Sequence, residues 1–180
     1  KEKKKTKEIS EYNKSGSYDI ILFGGHRIGR IIIENFKDKK DKLLVVDYNP
    51  DVIDILAKKG IHCVYGDVGN QDLLNEINLK KAKFVVSTIQ DREDDLFILD
   101  HVKKINPKVN VVITTSHMHE TFEFYKKGAD YVLLPYMLSG ERVAHMLKSV
   151  VKGKYSLKQL KKEHIRLLKE HDMESYQLTS

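Results

Sequence analysis

The stretch Ile20-Ile-Leu-Phe-Gly-Gly-His-Arg-Ile-Gly-Arg30 runs apolar, breaks into glycines and restarts with helical spacing. Gly24 and Gly29 occupy the first and last positions of a G-x-G-x-x-G phosphate loop, the first for its tight turn and the last for close packing of helix on strand. His26 stands at the middle position, where a glycine normally lets the backbone approach a pyrophosphate. Asp47 follows Gly24 by 23 residues and ends the apolar run Leu43-Leu-Val-Val. A carboxylate there accepts two hydrogen bonds at once, which is the chemistry for holding a ribose hydroxyl pair. Between loop and carboxylate, Ile28, Ile31, Ile32 and Phe36 recur at i, i+3, i+4 and i+8, the stripe of a helix laid on a sheet.

The elements that must position these groups follow from the same periodicities. Alternation begins at Tyr18, and after the first strand–loop–helix–strand unit Asn49-Pro50 starts a helix that ends at Gly60. Ile61 to Tyr65 reads as a third strand ending in Gly66-Asp67. Gln71 to Ile77 reads as a short helix and Ala82 to Thr88 as a fourth strand. Arg92 to Ile105 is a helix stopped by Asn106-Pro107, and Val109 to Thr115 a fifth strand. Met118 to Lys127 is a helix closed by Gly128, and Tyr131 to Leu134 a sixth strand. Six strands alternating with five helices predict an α/β, Rossmann-like doubly wound parallel sheet with additional C-terminal helices. Such sheets bind ligands beyond the C-terminal ends of their strands, where Gly24 to Gly29, Asp47, Gly66-Asp67 and Ser87-Thr88 all fall. Farther on, Val143, Met146, Leu147, Val150 and Val151 form one apolar stripe. A six-stranded sheet already has its covering helices, so this stripe predicts a homodimer. Lys154 to His171 reads as a further basic helix.

Composition narrows the classes. The 180 residues are 41% hydrophobic, enough for one ordinary core, and no apolar run reaches bilayer length. The single cysteine, Cys63, excludes an internal disulfide and reads as a small buried residue on a strand. The net charge of +6 is concentrated at both ends. Residues 15 to 147 hold eighteen basic against nineteen acidic residues, while six lysines crowd residues 1 to 14 and eight Lys or Arg crowd residues 148 to 171. Nucleic-acid binding would need basic and aromatic residues on one folded face, and the charge here lies in the ends, so no nucleic-acid partner is expected. None of the nine tyrosines precedes a lysine by four residues, and there is no second domain to hold a substrate, which argues against an NAD(P)-dependent oxidoreductase. His117-Met-His119 falls short of a metal's ligand set, and Glu93, Asp94 and Asp95 at a helix start read as groups favoured by the helix dipole.

Together, Gly24-Gly-His-Arg-Ile-Gly29, Val46-Asp47, Tyr65-Gly-Asp67, Val86-Ser-Thr88 and Gly128-Ala-Asp-Tyr-Val-Leu-Leu-Pro135 resemble the N-terminal half of a regulator of K+ conductance domain. This is the TrkA-N or KTN module of potassium channels, Trk and Ktr uptake systems and Kef-like cation/proton antiporters. The resemblance spans about Tyr18 to Val151, and the His-Arg pair is more like the antiporter branch. It implies residues 1–17 as a linker from an upstream membrane domain, 18–137 as the nucleotide-binding domain, 138–152 as a dimerisation or crossover helix and 153–180 as a basic helix and tail. That last segment departs from the family's usual second, ligand-sensing half. The resemblance further implies an adenine nucleotide, AMP or NAD(H) first and ATP among the alternatives. Its loop would be Gly24, Gly25, His26, Arg27, Ile28 and Gly29, with the Arg27 guanidinium on a phosphate. Asp47, followed by Tyr48 and Asn49, would hold the ribose; Gly66, Asp67 and Val68 would flank the adenine; Ser87, Thr88 and Ile89 would line the opposite wall. His26 takes space that a second phosphate needs, which puts AMP level with NAD(H). The implied role is regulatory rather than enzymatic: a dimer at the cytoplasmic face of the membrane, joined to a transmembrane transporter domain, whose geometry the nucleotide changes.

Overall fold

A computed structural model of the chain describes residues 16 to 170, so most of the expected linker and the last residues of the tail lie outside the described residues. The chain divides into two units, one up to Pro135 and one from Tyr136 onward.

In the first unit, β1 (Ile20–Phe23), β2 (Leu43–Asp47), β3 (His62–Tyr65), β4 (Phe84–Ser87), β5 (Asn110–Thr114) and β6 (Tyr131–Leu133) form one sheet in the order β3-β2-β1-β4-β5-β6. All five pairings are parallel, with Phe23 in register with Val46 on one side and Ser87 on the other. The helices are α1 (Ile28–Asn35), α2 (Pro50–Lys58), α3 (Gln71–Glu76), α4 (Arg92–Ile105) and α5 (Met118–Lys127). Alternate side chains of a strand point to opposite faces, so the apolar runs feed two cores. Leu22, Leu43, Val45 and Cys63 pack with Ile33 of α1 and Val52, Ile53 and Leu56 of α2. Ile21, Phe23, Leu44, Val46, Val85 and Ile113 pack on the other face with Leu74 of α3, Ile98, Leu99 and Val102 of α4 and Phe124 of α5. The chain therefore winds outward from β1 in both directions, and the turning point lies between β1 and β4. That crevice, beyond the carboxyl ends of the strands, is the ligand position of this architecture.

Local chemistry explains the boundaries. Asn49 caps α2 by accepting from the Asp51 amide at 2.9 Å, ahead of Pro50 at the first helical position. Gly128, at φ 102°, closes α5 in the left-handed conformation that glycine adopts without cost. The first helix departs from the expected stripe. Gly29 and Ile33 are its buried residues, while Ile31 is 40% exposed and Ile32 and Phe36 pack only partly. The run Ile31-Ile-Ile33 supplies apolar side chains to several directions at once, and the close contact at Gly29 selects the one that faces the sheet.

The second unit holds α6 (Pro135–Val151) and α7 (Leu157–Glu170). Ser156 opens α7 with a capping box: its hydroxyl accepts from the Gln159 amide at 3.2 Å, and Gln159 Oε1 accepts from the Ser156 amide at 2.8 Å. None of the residues of α6 is buried, and Val143, Leu147 and Val151 are 50%, 51% and 87% exposed. Among the described residues no helix is long and apolar enough to cross a membrane.

Candidate functional site

Several backbone features fold the glycine loop against the crevice. Gly24 takes φ +90°, and its amide donates to Val46 O at 2.9 Å, tying the end of β1 to β2. A Cβ on Gly24 would stand 2.7 Å from Thr88 Oγ1, and a Cβ on Gly29 only 1.9 Å from Gly24 O. No side chain fits at Gly29, so helix and strand meet there through bare backbone. Gly25 is buried, with Val52 and Val45 close around the place of its missing Cβ. Arg27 begins α1 from a φ of 45° and ψ of −109°, a conformation that costs a non-glycine residue on the order of 1–3 kcal/mol. Gly29 donates to His26 O at 2.9 Å, and the first turn of α1 carries no acidic side chain. The start of a helix presents unpaired amides and positive potential to an anion. His26 and Arg27 are both exposed beside it.

Asp47 sits beneath this loop, 8% exposed. Its Oδ2 accepts from the Gly25 amide at 2.7 Å, and its Oδ1 from the Asn49 amide at 2.8 Å. The carboxylate thus holds the loop and the start of the β2–α2 turn, and each oxygen keeps a further lone pair. Tyr48 is exposed at the rim. At the end of β3, Gly66 donates to Asp47 O at 3.0 Å, and Asp67 is exposed with its Oδ1 accepting from Gly69 at 3.0 Å. Val68 lies in the core rather than at the surface. Across the crevice, Thr88 Oγ1 donates to Gly24 O at 3.0 Å, so the β4 wall is fastened to the loop. Ile89 packs partly against the core, and Ser87 is fully buried.

Ser87 leads to a group whose burial its sequence context concealed. Its hydroxyl donates to Asp95 Oδ1, while Asp95 Oδ2 is buried without a hydrogen-bond partner. Asp95 does not serve the helix start as its neighbours suggest. Asp91 is the cap of α4, accepting from the Glu93 and Asp94 amides at 3.0 and 3.1 Å, and Asp95 is 1% exposed. Burial above all, with Asp94, Asp91 and Glu120 adding negative potential, pushes its carboxyl up to about 7 despite the Ser87 hydrogen bond. Glu120 of α5 is buried beside it and accepts from the Thr115 hydroxyl. The signal was present: Asp95 continues the buried stripe Ile98, Leu99 and Val102 one turn toward the N-terminus. Gln90 gave no such signal; it adopts φ 62° after Ile89 and accepts from Ser116 Oγ at 2.6 Å. His117 and His119 lie with ring centroids 5.6 Å apart, and the described residues contain no group of three or more His, Cys, Asp or Glu suited to a metal ion.

A parallel sheet wound outward from β1, with a glycine loop and a buried carboxylate at the turning point, defines a Rossmann-type nucleotide-binding fold. The chain belongs to the TrkA-N domain family, which matches residues 20–135. It is 27% identical over 128 residues to potassium channel protein 1 of Methanocaldococcus jannaschii, covering 70% of this chain and 38% of that protein. It is 29% identical over 111 residues to the glutathione-regulated potassium-efflux system protein KefC of Escherichia coli, covering 62% of this chain and 18% of that one. The chain thus spans well under half the length of these relatives. Among solved structures, the TrkA-N domain of the E. coli inner membrane protein ybaL superposes with a TM-score of 0.69 at 20% identity, covering 74% of this chain and 98% of that one. The Shewanella denitrificans Kef CTD in AMP-bound form gives 0.62 at 19%, covering 87% and 93%. The GsuK channel bound to NAD gives 0.58 at 18%, covering 67% and 22%.

Proposed function

We propose that this chain is the nucleotide-sensing regulatory part of a monovalent-cation transport system, a K+ or Na+/proton antiporter or a K+ transporter, at the cytoplasmic face of the membrane. The observation that carries the reading is the loop from Gly24 to Gly29, packed through bare backbone at the β1/β4 crevice and braced by Asp47. In this reading Arg27 and the start of α1 take the phosphate, and Asp47 with Tyr48 and Asn49 takes the ribose. Asp67 and the backbone of Gly66 and Val68 border the adenine, and Thr88 and Ile89 form the far wall. The ligand is AMP or NAD(H). His26, at the middle position of the loop, puts AMP level with NAD(H). The names of the relatives, a potassium channel protein and a potassium-efflux system, support the transport role. The AMP- and NAD-bound neighbours support the ligand class.

The role is regulatory, not enzymatic. Residues 1–17 lead from a transmembrane domain, 18–137 bind the nucleotide, 138–152 pair with a second copy and 153–180 connect onward. The exposed Val143, Leu147 and Val151 support that pairing, since apolar side chains on one helix face gain free energy when covered. A nucleotide that binds one dimer arrangement better shifts the population toward it, and the linkers carry the difference to the transporter. Thermal unfolding against AMP, ADP, ATP, NAD+ and NADH tests the reading. A ligand specific to the folded state raises the melting temperature, and a flat response to all five rejects the site.

A further inference from the structure

Among the described residues, Asp95 is the buried carboxylate with an oxygen that has no hydrogen-bond partner. It lies on α4 at 1% exposure, with Oδ1 held by the Ser87 hydroxyl and Oδ2 without a partner. An ionised carboxylate in that position carries an unmet desolvation cost, whereas a protonated one carries a much smaller cost. Three carboxylates add negative potential to it: Asp94 and Asp91 at the start of its own helix and Glu120 on α5. Asp67, from the β3–α3 turn, acts in turn on Asp94. Ser87 on β4 donates its hydroxyl to it, and the Thr115 hydroxyl just past β5 is donated to Glu120 instead. Arg92 is turned away, its guanidinium forked onto Glu123 at 2.8 and 2.6 Å. The start of α4 offers some positive potential, but Asp91 already occupies its free amides.

This group is wired to the nucleotide crevice by a short path. Ser87 precedes Thr88, whose hydroxyl donates to Gly24 O, and the Ile89 amide lies 3.5 Å from Ser87 Oγ. We propose that Asp95 is a proton-binding site under the β4 wall, and that occupation of the crevice by a phosphate-bearing nucleotide is coupled to uptake of a proton there. The inference rests on the reading of the crevice as a nucleotide site. Its physical basis is linkage. A bound phosphate adds negative charge to a pocket whose wall already holds a cluster of carboxylates, so the nucleotide binds better when Asp95 is neutral. With the carboxyl titrating at about 7, a change in pH within the ordinary cellular range alters nucleotide affinity.

Isothermal titration calorimetry of the chain with AMP and with NAD+, at pH 6 and pH 8, tests this, together with proton uptake at pH 7 measured in two buffers of different ionisation heat. The affinity of the unmodified chain is expected to fall about three- to tenfold from pH 6 to pH 8 beyond any change seen in Asp95→Asn. Asp95→Asn should bind with the acid-limit affinity at both values and lose the corresponding proton uptake. The comparison isolates Asp95, because the AMP phosphate, which titrates at about pH 6, and His26 are common to both proteins. Equal pH slopes and equal proton uptake in the two proteins overturn the coupling while leaving the nucleotide site intact. Absence of binding by the folded chain at both pH values overturns the site and the coupling together. If Asp95→Asn does not fold, the Asp95 carboxyl is followed by carbon NMR with and without AMP. An upward shift of its titration on binding supports the coupling, and an unmoved or ordinary carboxylate titration overturns it.

Discussion

The amide of Gly25 donates to Oδ2 of Asp47 at 2.7 Å, joining the glycine loop to the end of β2 across 22 residues of sequence. The carboxylate expected to face a ribose is thus already a structural brace, because its other oxygen accepts from Asn49 at 2.8 Å. Asp47→Ala leaves two amides without their acceptor and should cost about 1–3 kcal/mol of stability in addition to nucleotide affinity. Asp47→Asn keeps one acceptor oxygen and should cost less. Urea unfolding of the two variants without ligand separates the brace from the ribose contact.

The loop and α6 respond oppositely to the same change. Gly29→Ala places a methyl group 1.9 Å from Gly24 O, which forces α1 away from β1 and should destabilise the fold by about 3 kcal/mol or more. Gly140→Ala meets nothing within 4 Å on a helix and should stabilise by about 0.5–1 kcal/mol. Their melting temperatures should move in opposite directions.

Asp95 gives the folded chain a distinctive pH dependence. Its carboxyl titrates near 3.8 when unfolded and at about 7 in the fold. Between those values the folded protein holds a proton that the unfolded chain has released. This group's contribution is therefore fully present below about pH 4 and is lost as pH rises through about 7, amounting to a few kcal/mol. Asp95→Asn removes that loss, so urea unfolding should show the variant gaining stability over the unmodified chain between pH 5 and pH 8. Parallel pH profiles would contradict it.

What the sequence made legible follows from how each feature is encoded. The strands and helices are written in periods of two and 3.6, punctuated by Asn49-Pro50, Gly60, Asn106-Pro107 and Gly128, and these are local signals. The position of Asp47 was readable because fold topology places the second strand's end beside the loop. Its two amide partners were not, since spacing does not specify which donor reaches which oxygen. Asp95 was masked by its company: three acids in a row at a helix start suggest the dipole, and only the helical register shared with Ile98, Leu99 and Val102 turns one of them inward. Ile31 misled in the opposite sense, because three consecutive isoleucines cannot all face one sheet.

The apolar side of α6 bears on assembly. Leu147→Asp replaces an exposed leucine, so it should leave the fold of the isolated chain nearly unchanged. If this face pairs with a second copy, a carboxylate there is buried on association and should convert the dimer to a monomer in light scattering. An unchanged mass would remove α6 from the interface.

The proposed function requires an adenine nucleotide at the loop between Gly24 and Gly29, with Arg27 on its phosphate. Calorimetric titration of the chain and of Arg27→Ala with AMP and NADH measures this directly. Binding of one of the two by the unmodified chain, weakened about tenfold or more in Arg27→Ala as a charge-assisted contact to phosphate is lost, is the predicted result. No heat from either nucleotide, or equal affinity in both proteins, would contradict it.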